Sequence, residues 1–165
     1  MCPVAGCRPA KHTLLGRLEP AELPPEVQRH FAHCTIKRAY QVVNLPQTLL
    51  FEQCRERFQK EAENGGEVVR VFHGTSRAAT GSIVKNGFNV TFSGKANGQA
   101  YGPGVYTATT PSISYGYTRP DCGKERCMFV CDALPGPANA HSRSGHVLVL
   151  RREQQVNPRW LVYFV

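Results

Sequence analysis

A histidine follows directly on an apolar run: Val68, Val69, Val71 and Phe72 surround one arginine, and His73, Gly74 and Thr75 come next. Three of the five residues from Val68 to Phe72 are β-branched, so the run reads as a buried strand. His73 then falls where that strand breaks, on a turn whose glycine lets another group approach the backbone. An imidazole there can donate from one nitrogen and accept on the other. A second unusual stretch, residues 101–118, holds Tyr101, Tyr106, Tyr115 and Tyr117, four of the chain's six tyrosines. Gly102 and Gly104 bracket a proline just before a short strand, and aromatic faces stack on flat rings for about 0.5–1.5 kcal/mol beyond area burial. Taken singly, His73 also reads as a structural histidine and the tyrosines as a core segment.

Several other chemistries fail on spacing. Gly102-x-Gly104 follows a loop, leads into a strand and lacks a third glycine, so it is not a dinucleotide fingerprint. Cys2, Cys7 and His12 have loose zinc spacing, as do Cys122 and Cys127, but neither set completes a tetrahedron; no metal is expected. A papain-like Cys/His pair would meet only in space, and nothing in the sequence favours one.

The elements that must position these residues come from one domain of 165 residues with 41% hydrophobic composition. Residues 1–30, rich in Pro and Ala, read as a partly ordered N-terminal arm, and residues 31–165 as the functional domain. A strand is expected over 34–43, a turn at Asn44-Leu45-Pro46, and a helix whose apolar face is Leu50, Cys54, Phe58 and Ala62. A short helix capped by Ser76 should bury Ala79 and Ile83 and end at Gly87. Residues 89–102 read as a loop, 105–107 as a strand, and Thr110-Pro111 opens another short helix. Strands are expected over 127–134, 146–150 and 160–165. This order argues for an α+β fold.

The net charge is +8, and residues 68–120 contain no Asp or Glu against Arg70, Arg77, Lys85, Lys95 and Arg119. Such a surface suits an anionic ligand, a phosphate-bearing cofactor or nucleic acid; the alternative is a solvated basic face. Seven unpaired-looking cysteines and the lack of an apolar leader or spanning run indicate an intracellular protein, cytoplasmic or nuclear, without a membrane segment.

His73-Gly74-Thr75, Gly87-Phe88, Tyr101-Gly102-x-Gly104-Val105-Tyr106, Ser114-x-x-Tyr117 and Trp160-Leu161-Val162-Tyr163 occur in this order. The series resembles the catalytic domain of the poly(ADP-ribose) polymerase-like ADP-ribosyltransferases, the diphtheria-toxin-like branch, over about residues 34–165. The resemblance implies two mostly antiparallel sheets forming a split core, with NAD+ as co-substrate in the cleft between them. It implies that His73 bonds ribose hydroxyls and that Gly74 offers backbone N–H and C=O to the nicotinamide carboxamide. Thr75 would lie near the adenosine ribose, Tyr106 and Tyr117 would sandwich the nicotinamide, and Ser114 would donate to its carboxamide oxygen. Residues 89–100 would form a short loop over the donor.

One position departs from the family. Polymer-forming members carry Glu eight residues before the Gln of a Gln-Val-Asn segment; counting back from Gln155 gives Val147. His146 should face the other side of its strand, and Glu153 should lie past the strand end. The resemblance therefore implies a His73-Tyr106-Val147 triad and transfer of single ADP-ribose units with release of nicotinamide. The expected acceptor is a protein, with a nucleic-acid end as a second candidate, and the expected state is a monomer. The alternative function is a weak or inactive domain that binds NAD+ or ADP-ribose, or serves as an interaction module.

Overall fold

The apolar run around Val71 forms a strand, but that strand does not stop at His73. The structure, a computed structural model, describes residues 13–92, 101–136 and 145–165. Its elements are β1 (Thr13–Leu18), α1 (Pro25–Gln28), β2 (Ile36–Asn44), α2 (Leu45–Glu61), β3 (Val69–Thr75) and α3 (Arg77–Asn86). They continue with β4 (Val105–Ala108), α4 (Pro111–Tyr115), β5 (Arg126–Ala133), β6 (Val147–Leu150) and β7 (Val156–Phe164). The fold is α+β, and the strands run in the order β1-β2-β7-β5-β3-β4-β6 with antiparallel neighbours throughout.

The expected pair of sheets is one sheet with a narrow waist. β3 pairs with β5 from Val69↔Ala133 to Thr75↔Cys127, whereas it meets β4 only at Phe72↔Ala108. Beyond that pair β3 and β4 share no further ladder pairs, so β4 and its partner β6, separated in sequence by α4 and β5, join the larger sheet at one point. His73 therefore marks the loss of one partner strand, not the end of a strand. The backbone stays extended because β5 still pairs with it.

Both faces of the central strands are covered, which explains their continuous apolar runs. Met128 and Val130 of β5 pack with Phe72, Val162 and Phe164 on one face; Phe129 and Cys131 pack with Val71, Phe88 and Leu161 on the other. Leu23, Val27 and Phe31 join the first of these clusters. The described part of the expected N-terminal arm is thus packed: β1 adds to β2 from Thr13↔Asn44 to Leu18↔Ala39, and α1 buries Val27.

α2 starts where the side chain of Asn44 accepts the Gln47 N–H at 3.1 Å, with Pro46 in its first turn. It buries Gln47, Phe51, Cys54 and Phe58, while Leu50 is 44% exposed. The expected face follows a strict four-residue step, which drifts around a helix of 3.6 residues per turn; alternating steps of four and three hold one side. Asn44 also donates to the carbonyls of Val84 and Lys85 at 3.0 and 3.1 Å, docking the end of α3 onto the start of α2.

Candidate active site

Where β3 and β4 part, a side chain takes over from the backbone ladder. His73 Nδ1 lies 2.8 Å from the carbonyl oxygen of Tyr106. A carbonyl only accepts, so Nδ1 carries the proton, and in the neutral ring Nε2 is left as an acceptor. Burial lowers the His73 pKa below 6.5, opposed by the bond to Tyr106, which keeps the ring neutral at pH 7. Phe88, buried behind it, sets the ring edge-on at 4.8 Å between centroids. This arrangement presents a neutral, fixed acceptor to a cleft of about 830 Å³, within the usual size of a small-molecule site.

The next residue is glycine for a packing reason. A Cβ on Gly74 would come within 2.0 Å of the Ser114 carbonyl oxygen and 3.0 Å of the Thr118 methyl group. The absent side chain lets α4 settle on the face of β3. α4 in turn delivers Ser114, 2% exposed, whose hydroxyl donates to the Phe72 carbonyl at 2.8 Å. That carbonyl belongs to the one β3 residue paired with β4. The single hydroxyl proton of Ser114 is committed there, so its oxygen faces a ligand as an acceptor until the hydroxyl turns.

Tyr106 and Tyr117 both line the cleft. Tyr106 is half-buried, with its hydroxyl donating to Gly102 O at 2.6 Å and accepting the Tyr101 N–H at 3.1 Å. Tyr117, 40% exposed, follows the α4 turn, where its N–H donates to Ser114 O at 3.1 Å. One ring is pinned and the other is open to solvent.

Val147 also lines the cleft and pairs with Ala108, so Phe72, Ala108 and Val147 form one row across the waist of the sheet. His146 is exposed, and its carbonyl accepts the Thr109 N–H at 2.8 Å. Glu153 lies beyond β6, where it accepts the Val90 N–H at 3.1 Å. No Asp or Glu is found among the described residues that line the cleft. Thus His73, Gly74, Thr75, Tyr106, Ser114, Tyr117 and Val147, spread over 75 positions of sequence (73 to 147), line a single cleft.

α3 forms the other wall with a face that sequence reading misassigned. Ala79 and Ile83 line the cleft with Ser82 and Asn86, while Thr80 and Val84 are the buried pair. The spacing of 79, 82, 83 and 86 is a helical stripe, and its two polar members signal a wetted groove where an apolar stripe would signal core. Ser76 stands at the N-cap position without a side-chain cap bond and also lines the cleft.

Of the five cations between residues 68 and 120, Arg119 lines the cleft, beside Ser76 through an isolated parallel bridge. Arg70 pairs with Asp132 at 3.0 Å and Arg77 with Asp121 at 2.9 Å. Lys95 lies outside the described residues, as do Cys2, Cys7, His12 and most of the expected donor loop. Among the described residues no three His, Cys, Asp or Glu side chains group as metal ligands; Cys127 is buried and bonds the Thr75 carbonyl while Cys122 is exposed. Nor is any described helix long and apolar enough to cross a membrane.

The poly(ADP-ribose) polymerase catalytic domain matches this chain over residues 28–159. Protein mono-ADP-ribosyltransferase PARP10 of Mus musculus is 32% identical over 127 residues, covering 76% of this chain and 12% of that protein. Protein mono-ADP-ribosyltransferase PARP14 of Homo sapiens is 31% identical over 94 residues, 54% of this chain and 5% of that protein. The chain spans a small part of the length of these relatives. It belongs to the poly(ADP-ribose) polymerase catalytic domain family.

Proposed function

We propose that this member of the family is an NAD+-dependent mono-ADP-ribosyltransferase, with a protein as the first-choice acceptor. The observation that carries the reading is the convergence of His73, Tyr106, Ser114, Tyr117 and Val147 on one cleft whose described lining lacks a carboxylate. NAD+ is the substrate whose parts suit that lining: a flat carboxamide ring for the tyrosines and Gly74, ribose hydroxyls for neutral His73, and a pyrophosphate for Arg119.

In the reaction the bond between the nicotinamide nitrogen and ribose C1 breaks, and its electron pair leaves with nicotinamide. Positive charge develops on the ribose, as in glycoside chemistry. A lone pair of the acceptor then forms the new bond to C1, and the acceptor's proton passes to solvent or to a base outside this set. Within the chain, His73 Nε2 accepts from a ribose hydroxyl, and the Tyr106 and Tyr117 rings hold the leaving group flat. Val147 supplies shape and dryness but no charge. A carboxylate aimed at developing charge can be worth about 10²–10³ in rate, so turnover is modest. No described residue lining the cleft supplies a carboxylate that could activate a ribose hydroxyl for chain growth.

The same missing carboxylate favours a second reading, an NAD+- or ADP-ribose-binding module without turnover. Incubation with NAD+ labelled in its adenosine part separates the two. The transferase reading predicts label on protein and release of nicotinamide, both lost in Tyr117→Ala. Carboxamide binding with neither product would favour the binding module.

A further inference from the structure

Arg151, the residue after β6, is solvent-exposed and makes no ion pair among the described residues. Its guanidinium instead lies along the turn that leads into β4. One terminal nitrogen donates to Pro103 O at 2.6 Å and the other to Tyr101 O at 2.8 Å. Gly102, at φ +82, has its Cβ direction facing Arg151, whose nitrogen would be 3.2 Å from an added carbon. From the other side, the Tyr106 hydroxyl donates to Gly102 O and accepts from Tyr101 N–H. The turn at 101–104 is therefore held by two side chains, one on β4 and one just past its partner strand β6. Tyr101 and Gly104 of that turn line the cleft.

We propose that Arg151 is a positioning residue that clamps the Tyr101–Gly104 turn against Tyr106 and so sets the affinity of the cleft for a planar carboxamide ring. The inference rests on the NAD+ reading above. Its physical basis is the planar guanidinium fork, which offers two fixed donors to two carbonyls; an ammonium is a point donor and cannot reproduce that fork. When the clamp is removed, the cost of ordering the turn and the Tyr106 ring falls on the ligand.

The test is calorimetric titration of benzamide and of ADP-ribose, which lacks the ring, into the wild-type domain, Arg151→Met and Arg151→Lys. Steady-state kinetics with NAD+ accompany it. Benzamide affinity should fall about tenfold in Arg151→Met and less in Arg151→Lys, while ADP-ribose affinity stays within about twofold. KM should rise more than kcat falls. Tyr106→Phe removes the other hold on the turn, so its effect on benzamide should be less than additive with Arg151→Met. Equal benzamide affinity in wild type and both variants overturns the inference, as does a parallel loss for both ligands, which marks a general structural role. A wild-type domain that binds neither ligand removes the NAD+ reading and the inference with it; the first two outcomes overturn the inference alone.

Discussion

His73 ties the fold to the chemistry, because the bond that fixes its tautomer is also the bond that bridges the parting strands. Replacing it should separate those roles. His73→Ala should keep the fold, since β3 remains paired with β5, but lose NAD+ turnover by about 10² or more; turnover at the wild-type rate would make His73 a structural histidine only. The lowered pKa makes a second forecast. An unfolded chain takes up a proton near pH 6.5 while the half-buried ring, its folded pKa lowered by desolvation, resists it, so the unfolded state binds more protons in acid. Stability is then full above about 6.5 and falls as pH drops toward the depressed folded value. His30 acts in the same direction, lowered by burial and then by Arg29 and Arg70. Urea midpoints measured from about pH 7 to 5 should decline, and His73→Gln should flatten part of that decline. An unchanged slope would mean that His73 is not held neutral by burial. At this scale the residue types and order were legible in the sequence, and their partners were not. Nothing in the string marks Tyr106 O as the partner of His73, or Ser114 as the donor to Phe72 O, because both bonds join elements far apart in the chain.

Among the elements, the central strands were legible because burial on both faces leaves unbroken apolar runs. Helix faces and the first strand were less so. The α3 stripe at 79, 82, 83 and 86 faces a cleft, so apolar periodicity pointed to Ala79 and Ile83, of which Ile83 packs against the core only in part, while Thr80 and Val84 are the fully buried pair. β1 (Thr13–Leu18) was hidden by its setting: it carries a glycine and an arginine and lies among Pro- and Ala-rich residues. Its worth is tertiary, as an edge strand paired along β2 with Leu18 against the buried cluster of Leu23, Val27 and Phe31. Cross-strand pairs contribute about 0.2–1 kcal/mol each, so deleting residues 1–20 should cost on the order of 2 kcal/mol or more in chemical denaturation. A loss within about 0.5 kcal/mol, the range for changes away from buried features, would show that β1 is a dispensable arm.

Across the whole molecule, the narrow-waisted sheet, the glycine-seated α4 and the wetted face of α3 form one cleft with Val147 on the far strand. Among the described residues the positive charge is not concentrated there: Arg38, Arg70 and Arg77 are drawn into pairs with Glu125, Asp132 and Asp121, leaving Arg119 at the cleft. Net charge was readable from composition, but its distribution depends on which carboxylates the fold brings near. The cleft's lack of a described carboxylate is the feature on which the account of single-unit transfer stands. If Val147 occupies the position opposite the reacting ribose, Val147→Glu should increase NAD+ hydrolysis, although chain growth also needs a site for a previous ADP-ribose. The most direct measurement is mass spectrometry, intact and at the peptide level, of the wild-type domain after incubation with NAD+, with His73→Ala alongside. Adducts of one ADP-ribose unit at each modified site, matched by released nicotinamide and missing from His73→Ala, are the expected result; chains of two or more units at a site, or neither adduct nor nicotinamide from the wild type, would contradict single-unit transfer.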